Sequence, residues 1–232
     1  MQYVKIKDAI VEQIETGMLA AGEKLPSERK LAEAFDTTRV TLREALSLLE
    51  SEGRIYREDR RGWFISRPTL KLEPSVSISF RELTNQQNRQ GKTQVLVSKS
   101  TLANKYASAL MALAPFSDIY QIERVRYLEG RPVCYVVHYV QPAIVPNLLE
   151  VDFSMSLTQV YRENYGLSYG KTQQRITTTG LQGDIAHALN ATVGTPALMI
   201  ECTNYDEQGR IVDASIEYWR HDAVSIESTI TR

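Results

Sequence analysis

The chain is poor in the residues that bind metals. It has two cysteines, Cys134 and Cys202, in 232 residues, and they stand far apart. The three histidines, His138, His187 and His221, are equally scattered. No ligand spacing of a zinc site results, and neither a metal nor a cofactor is expected. No nucleophile and base group together, so no catalytic residue is assigned. Charge of one sign is lacking too. The net charge is −1, so any affinity for nucleic acid must come from local patches. Apolar runs are short, and none approaches membrane-spanning length. Lys5, Lys7 and Asp8 interrupt the opening segment, which excludes a signal peptide. The expected location is the cytoplasm, with no membrane partner. Neither an internal repeat nor a low-complexity tract is visible.

What is present is enough apolar residue, 43%, to build a core. The most organised stretch is residues 22–65. Pro26 and Ser27 are a helix start signal, with Ser27 as N-cap. A helix over 28–34 follows, with Leu31 and Phe35 inward. Asp36-Thr37-Thr38 is a turn, and a second helix spans about 39–52. Leu42, Ala45, Leu46 and Leu49 recur in it at helical spacing, so that face is buried. Thr38, Arg39, Thr41 and Arg43 lie at its start, and Gly53 ends it. Residues 54–58 and 62–66 read as strands around a tip of Asp59, Arg60, Arg61 and Gly62. Residues 54–67 hold five arginines against Glu58 and Asp59, a local excess of three. Helix, turn, helix and basic hairpin fit a major-groove reader. They also fit an ordinary helical pair with solvated charges.

The chain opens with a helix over 2–16, with Val4, Ile6, Ile10, Val11 and Ile14 as its apolar stripe. After the hairpin, residues 68–78 hold two prolines without helical period and read as a linker. Beyond it, helices are expected over 80–90, 102–113, 143–149, 157–165 and 183–190, with a polar stretch from Asp152 to Ser156. Strands are expected over 93–101 and 171–180. Hairpins are expected at 119–140, turning at Glu129-Gly130-Arg131-Pro132, and at 197–219, turning at 206–209, with a last strand over 223–229. This is an α+β chain, its second half a mainly antiparallel sheet with helices. Arg124 and Arg126 lie two apart on one strand and so share a face. Paired guanidinium groups suit a phosphate-like oxyanion, or surface salt bridges to Glu123 or Glu129. Asp213, Glu217 and Tyr218 offer an ammonium group two carboxylates and a cation–π face. Tyr218 is equally a core residue.

The run LPSERKLAEAF (25–35), TRVTLREAL (38–46), the pair Leu49-Glu50 and Gly53 resembles the winged helix of the GntR family of bacterial transcription regulators. The resemblance implies that Arg29, Thr38, Arg39, Thr41 and Arg43 meet operator DNA. It places Arg60, Arg61 and the tip glycine Gly62 against the minor groove. The strings ERVRYLEGRPVCY (123–135) and IVDASIEYWRHD (211–222) resemble the effector-binding UTRA domain of the HutC subfamily, which has a chorismate-lyase-like fold. That resemblance implies a small anionic effector held by Arg124 and Arg126, with Ser79 and Ser156 beside it. It divides the chain into a DNA-binding domain over 1–67, a linker over 68–78 and an effector-binding and dimerisation domain over 79–232. A homodimer on a palindromic operator is the implied assembly. The wing EDRRGWFIS (58–66), the hairpin GRPVCY (130–135) and the ending IEYWRHD (216–222) resemble the phosphonate-utilisation regulators associated with 2-aminoethylphosphonate. Many sugar-phosphate members carry a glutamate four residues after the hairpin proline, and here Val136 stands there. A sugar-phosphate regulator of the same subfamily, an enzyme on the lyase-like fold and a ligand-free dimerisation module are the alternatives.

Overall fold

A computed structural model describes residues 1–74, 78–152 and 156–229. The chain forms two compact units. The first contains Met1–Lys71 together with Gly180–Pro196 and Arg220–Ser225; the second contains Leu72–Thr179, Ala197–Trp219 and Ile226–Arg232.

The first unit begins with three helices, α1 (Gln2–Glu15), α2 (Glu28–Ala34) and α3 (Arg39–Ser51). Their starts follow from capping. Ser27 Oγ accepts from Lys30 N, and Thr38 Oγ1 accepts from Thr41 N at 3.2 Å, so each satisfies an orphan amide of a first turn. Leu42, Ala45, Leu46 and Leu49 are fully buried on α3 and meet Ile6 and Ile10 of α1, Leu31 of α2, and Ile55 and Trp63. Gly53 follows α3 with φ of +68°, where a side chain would be strained. The antiparallel strands β1 (Ile55–Glu58) and β2 (Gly62–Ile65) complete the winged helix. Wing-tip Gly62 has φ of +101°, a conformation open chiefly to glycine.

The first unit also holds the helix over Gly183–Ala188, expected over 183–190, and the segment over 220–225; both were expected within the domain over 79–232. Arg220 is completely buried; it donates to the Leu189 and Arg57 carbonyls and ion-pairs with Asp222. The His221 ring nitrogens lie 2.9 Å from Pro196 O and 2.6 Å from Glu50 O. Part of the expected linker is strand β3 (Leu70–Leu72), paired with the last strand, Val224–Ile226. Its residues 75–77 fall outside the described residues, as do 153–155 of the expected polar stretch.

The second unit is built on a six-stranded sheet in the order β4-β5-β6-β9-β8-β7. The strands are β4 (Gly91–Leu102), β5 (Asp118–Leu128), β6 (Arg131–Val140), β7 (Tyr169–Gly180), β8 (Pro196–Asp206) and β9 (Ile211–Arg220). β5 turns into β6 through Glu129 and Gly130 alone, both at positive φ, the form of a tight two-residue hairpin. Arg131 and Pro132, expected in the turn, belong to β6. The register then pairs Arg124 with Val136 and Arg126 with Cys134, and β6 pairs Val136 with Glu217 and His138 with Ser215. Directly paired residues share a face. Helices α4 (Phe80–Gln86), α5 (Lys105–Met111) and α6 (Leu157–Tyr165) accompany the sheet. The helix expected over 143–149 is reduced to a 3-10 turn, Leu148–Glu150.

Candidate functional site

The winged helix carries a basic hollow. Lys24, Arg29, Arg39, Arg57, Arg60 and Arg61 line it, with Glu28 as its one acidic residue. Arg39 is exposed at the start of α3, and Thr38 and Thr41 bring their hydroxyls within 3.0 Å of each other in the same turn. Arg29 ion-pairs with Glu33 at 2.8 Å, one turn along α2. Arg43 donates its Nε to Glu28 at 2.8 Å. Arg60 extends from the wing tip with its side chain almost wholly exposed; Arg61 pairs with Glu58 and lies 5.5 Å from the Phe64 ring. All eight residues expected at DNA thus belong to α2, α3 and the wing. Lys24, Arg57 and Glu28 were not anticipated. Arg57 was counted among the basic residues of the hairpin, but only β1 pairing sets it over the Trp63 ring, at 5.7 Å. Cation clusters at a helix start and on a hairpin suit phosphates, and an arginine fork suits a guanine edge.

The second unit contains a cavity of about 520 Å³ on one face of its sheet. Ser79, Arg124, Arg126, Ser156, Asp213 and Glu217 all line it. Arg124 is 6% exposed, with Nη2 2.6 Å from His138 Nε2. Burial, and then the Arg126 charge, pulls its pKa down to about 10, which still leaves it cationic. Burial and the two arginines push His138 well below the ordinary 6.5. His138 is therefore neutral, and its Nε2 can accept from Arg124. Arg126 ion-pairs with Glu217 at 3.0 Å, and its guanidinium lies 5.3 Å from the Phe80 ring and 5.5 Å from the Trp219 ring. Glu217 also accepts from Trp219 Nε1 at 2.7 Å. The sequence offered surface pairings to Glu123 or Glu129, and these carboxylates have other partners. Glu129 binds Arg89 through both oxygens, while Glu123 accepts from Gln121 and Tyr135.

Another part of the cavity is acidic and phenolic. Asp213 is 2% exposed and accepts from Tyr169 Oη and from Asn204 Nδ2. Burial raises its carboxyl pKa against the pull of these bonds. Ser156 occupies the N-cap of α6 without a side-chain cap bond, and Leu157 and Thr158 of the first turn also line the cavity. Orphan amides of a first turn suit an anion. Ser79 lines the cavity, but its hydroxyl is already engaged. It donates to Glu82 and accepts from the Glu82 amide, a complete capping box.

Tyr218 needs correction. It pairs with Tyr135, beside Glu217 on β9, so its ring projects from the other face. There it packs in the cluster of Ala107, Met111 and Ile216 and lines no part of the cavity. His138, Arg81, Tyr169, Lys171 and Asn204 line it and were not anticipated. The alternation of β6 could have found His138, two residues beyond Val136. Tyr169, Lys171 and Asn204 depend on strand order, and Arg81 on the placement of α4.

Among the described residues no group of His, Cys, Asp and Glu is placed to hold a metal, and no helix is long and apolar enough to cross a membrane.

Two family models match. Residues 2–65 match the gntR family of bacterial regulatory proteins, and residues 86–225 match the UTRA domain. The HTH-type transcriptional regulator YihL of Escherichia coli is 33% identical over 223 residues, covering 95% of this chain and 94% of that protein. The HTH-type transcriptional repressor NagR of Bacillus subtilis is 26% identical, covering 95% and 90%. The crystal structure of PhnF from Mycobacterium smegmatis superposes with a TM-score of 0.68 at 22% identity, covering 97% of this chain and 99% of that one. At that identity the superposition speaks for the fold.

Proposed function

Since the chain belongs to the gntR family of bacterial regulatory proteins and carries a UTRA domain, we propose that it is a regulator whose effector is a small zwitterion of the 2-aminoethylphosphonate kind, and that it controls phosphonate-utilisation genes. It is a ligand-responsive DNA-binding transcription regulator, and the relatives named above are regulators, not enzymes. The observation that carries the effector reading is one cavity with two kinds of charge. Arg124 and Arg126 stand side by side, and Asp213 and Glu217 line the same space. Guanidinium forks suit the three oxygens of a phosphonate, and the carboxylates suit an ammonium. Ser156 and the first turn of α6 supply further donors to the anion. The cavity has room for so small a ligand.

The sugar-phosphate alternative is weakened at Val136. This side chain stands between Arg124 and Glu217 in the sheet and gives a hydroxyl no partner. A site that leaves ligand hydroxyls unpaired loses affinity for them.

The functional division is DNA binding by residues 1–67, a connection over 68–78, and effector binding with dimerisation over 79–232. The protein acts in the cytoplasm as a homodimer on a palindrome whose half-sites lie about one helical turn apart. Thermal unfolding with 2-aminoethylphosphonate, ethylphosphonate and glucosamine 6-phosphate tests the effector. The aminophosphonate should raise the midpoint most. A larger shift with glucosamine 6-phosphate overturns the assignment.

A further inference from the structure

One acidic side chain faces the basic hollow of the winged helix, and it is not idle there. Glu28 is the first residue of α2. Its Oε2 accepts from Arg43 Nε of α3 at 2.8 Å, and its Oε1 accepts from Trp63 Nε1 of β2 at 3.2 Å. One carboxylate therefore joins the two helices of the motif to the wing. Burial disfavours the charge on Glu28. The bonds from Arg43 and Trp63 and the charges of Arg43 and Arg57 outweigh it and hold the pKa below the ordinary value. The Arg43 side chain is 65% exposed, whereas that of Glu28 is 20% exposed. The arginine is anchored at its base and open at its tip.

The geometry matters because of how a guanidinium donates. Its five N–H groups form a flat fork. A carboxylate on Nε leaves the two terminal nitrogens for a second acceptor pair, such as guanine O6 and N7. An arginine without such an anchor would lose rotamer freedom on binding DNA. The same carboxylate repels phosphates. On electrostatic grounds alone its removal should tighten binding to any DNA.

We propose that Glu28 is a positioning residue for operator reading, fixing Arg43 with its terminal nitrogens outward and tying that pose to the wing through Trp63. The proposal rests on Arg43 being a base reader. Its signature is two effects of opposite sign. Glu28→Gln keeps the size of the side chain but removes the charge that binds both donors. Affinity for the operator should fall roughly tenfold, while affinity for random duplex stays level or rises.

The probes are a duplex selected from a random library by the full-length protein, and a scrambled duplex of equal length. Anisotropy titrations would compare wild type, Glu28→Gln, Trp63→Phe, Arg43→Ala and the Glu28→Gln/Arg43→Ala pair, with thermal unfolding as the folding control. Trp63→Phe keeps an aromatic ring and loses the donor, so at a preserved unfolding midpoint it should weaken the selected duplex alone. In the Arg43→Ala background, Glu28→Gln should cost nothing further on the selected duplex. If Glu28→Gln binds that duplex as tightly as wild type, or costs as much without Arg43 as with it, the positioning role is wrong. If Arg43→Ala weakens both duplexes equally, the base-reading assignment fails first and the proposal falls with it.

Discussion

Replacing Arg126 separates the role of this side chain in folding from its proposed role in effector binding. Arg126 and Glu217 form an ion pair with side chains 13% and 15% exposed. Arg126→Ala removes the charge-assisted bond proposed to the effector anion, worth about 1.5–3 kcal/mol, or roughly 10- to 150-fold in affinity. It also leaves Glu217 in the cavity without its cation. Trp219 Nε1 still donates to Glu217, so that loss is partial, and a stranded polar group of this kind costs about 1–3 kcal/mol of stability. A fall in ligand response could therefore reflect a weakened fold. The pair Arg126→Ala/Glu217→Gln removes the stranded charge. It should recover most of the lost stability and none of the anion affinity.

Calorimetric titration with ethylphosphonate, which lacks the amine, reads the anion alone. Urea unfolding reads stability, and operator binding without ligand reads the winged helix. Both variants should bind operator normally, lose ethylphosphonate and lose the response to the aminophosphonate, since a ligand shifts only equilibria whose states it binds differently. Unchanged ethylphosphonate affinity in the double variant would put the anion site elsewhere.

Three further expectations follow from the same geometry. His138 is held neutral, so the unfolded chain binds more protons below pH 6.5; its contribution to stability is complete above 6.5 and declines as pH falls. Between pH 6.5 and 5.5 urea unfolding should lose up to about 1 kcal/mol more in wild type than in His138→Asn, and parallel profiles would refute this. Arg39→Ala should cost about 1–3 kcal/mol on the operator and less on random DNA, whereas Arg29→Ala should weaken both about equally; equal losses for Arg39→Ala would sink its base-reading role. Leu46 is fully buried in the helical core, so Leu46→Ala should lower unfolding stability by about 2–5 kcal/mol, and a loss under 1 kcal/mol would show that the site collapses.

The winged helix was legible because its determinants are local. Ser27 and Thr38 cap helices whose first turns lie within three residues of them. The stripe of Leu42, Ala45, Leu46 and Leu49 declares one buried face without reference to any other element. The β5–β6 hairpin was legible for a related reason. A two-residue turn at Glu129 and Gly130 sets the register, and the register puts Arg124 opposite Val136. Ser79-x-x-Glu82 has the spacing of a capping box, so the commitment of the Ser79 hydroxyl could also have been foreseen.

Tyr218 shows the limit of choosing residues by chemistry rather than by parity. Asp213, Ser215 and Glu217 alternate onto the cavity face of β9, which obliges Tyr218 to face the other way. A carboxylate and the aromatic ring next to it in a strand cannot both serve one ligand. What no local pattern reveals is the neighbour of β9. Asn204 reaches Asp213 from β8, and Tyr169 reaches it from the edge strand β7. Only the sheet order brings these side chains together. The arginine pair is thus written within one strand, whereas the surroundings of Asp213 are assembled from three. On the proposed reading, discrimination between an amine and a hydroxyl would rest on those side chains, because Tyr169 and Asn204 hold the Asp213 carboxylate that a ligand amine would have to reach.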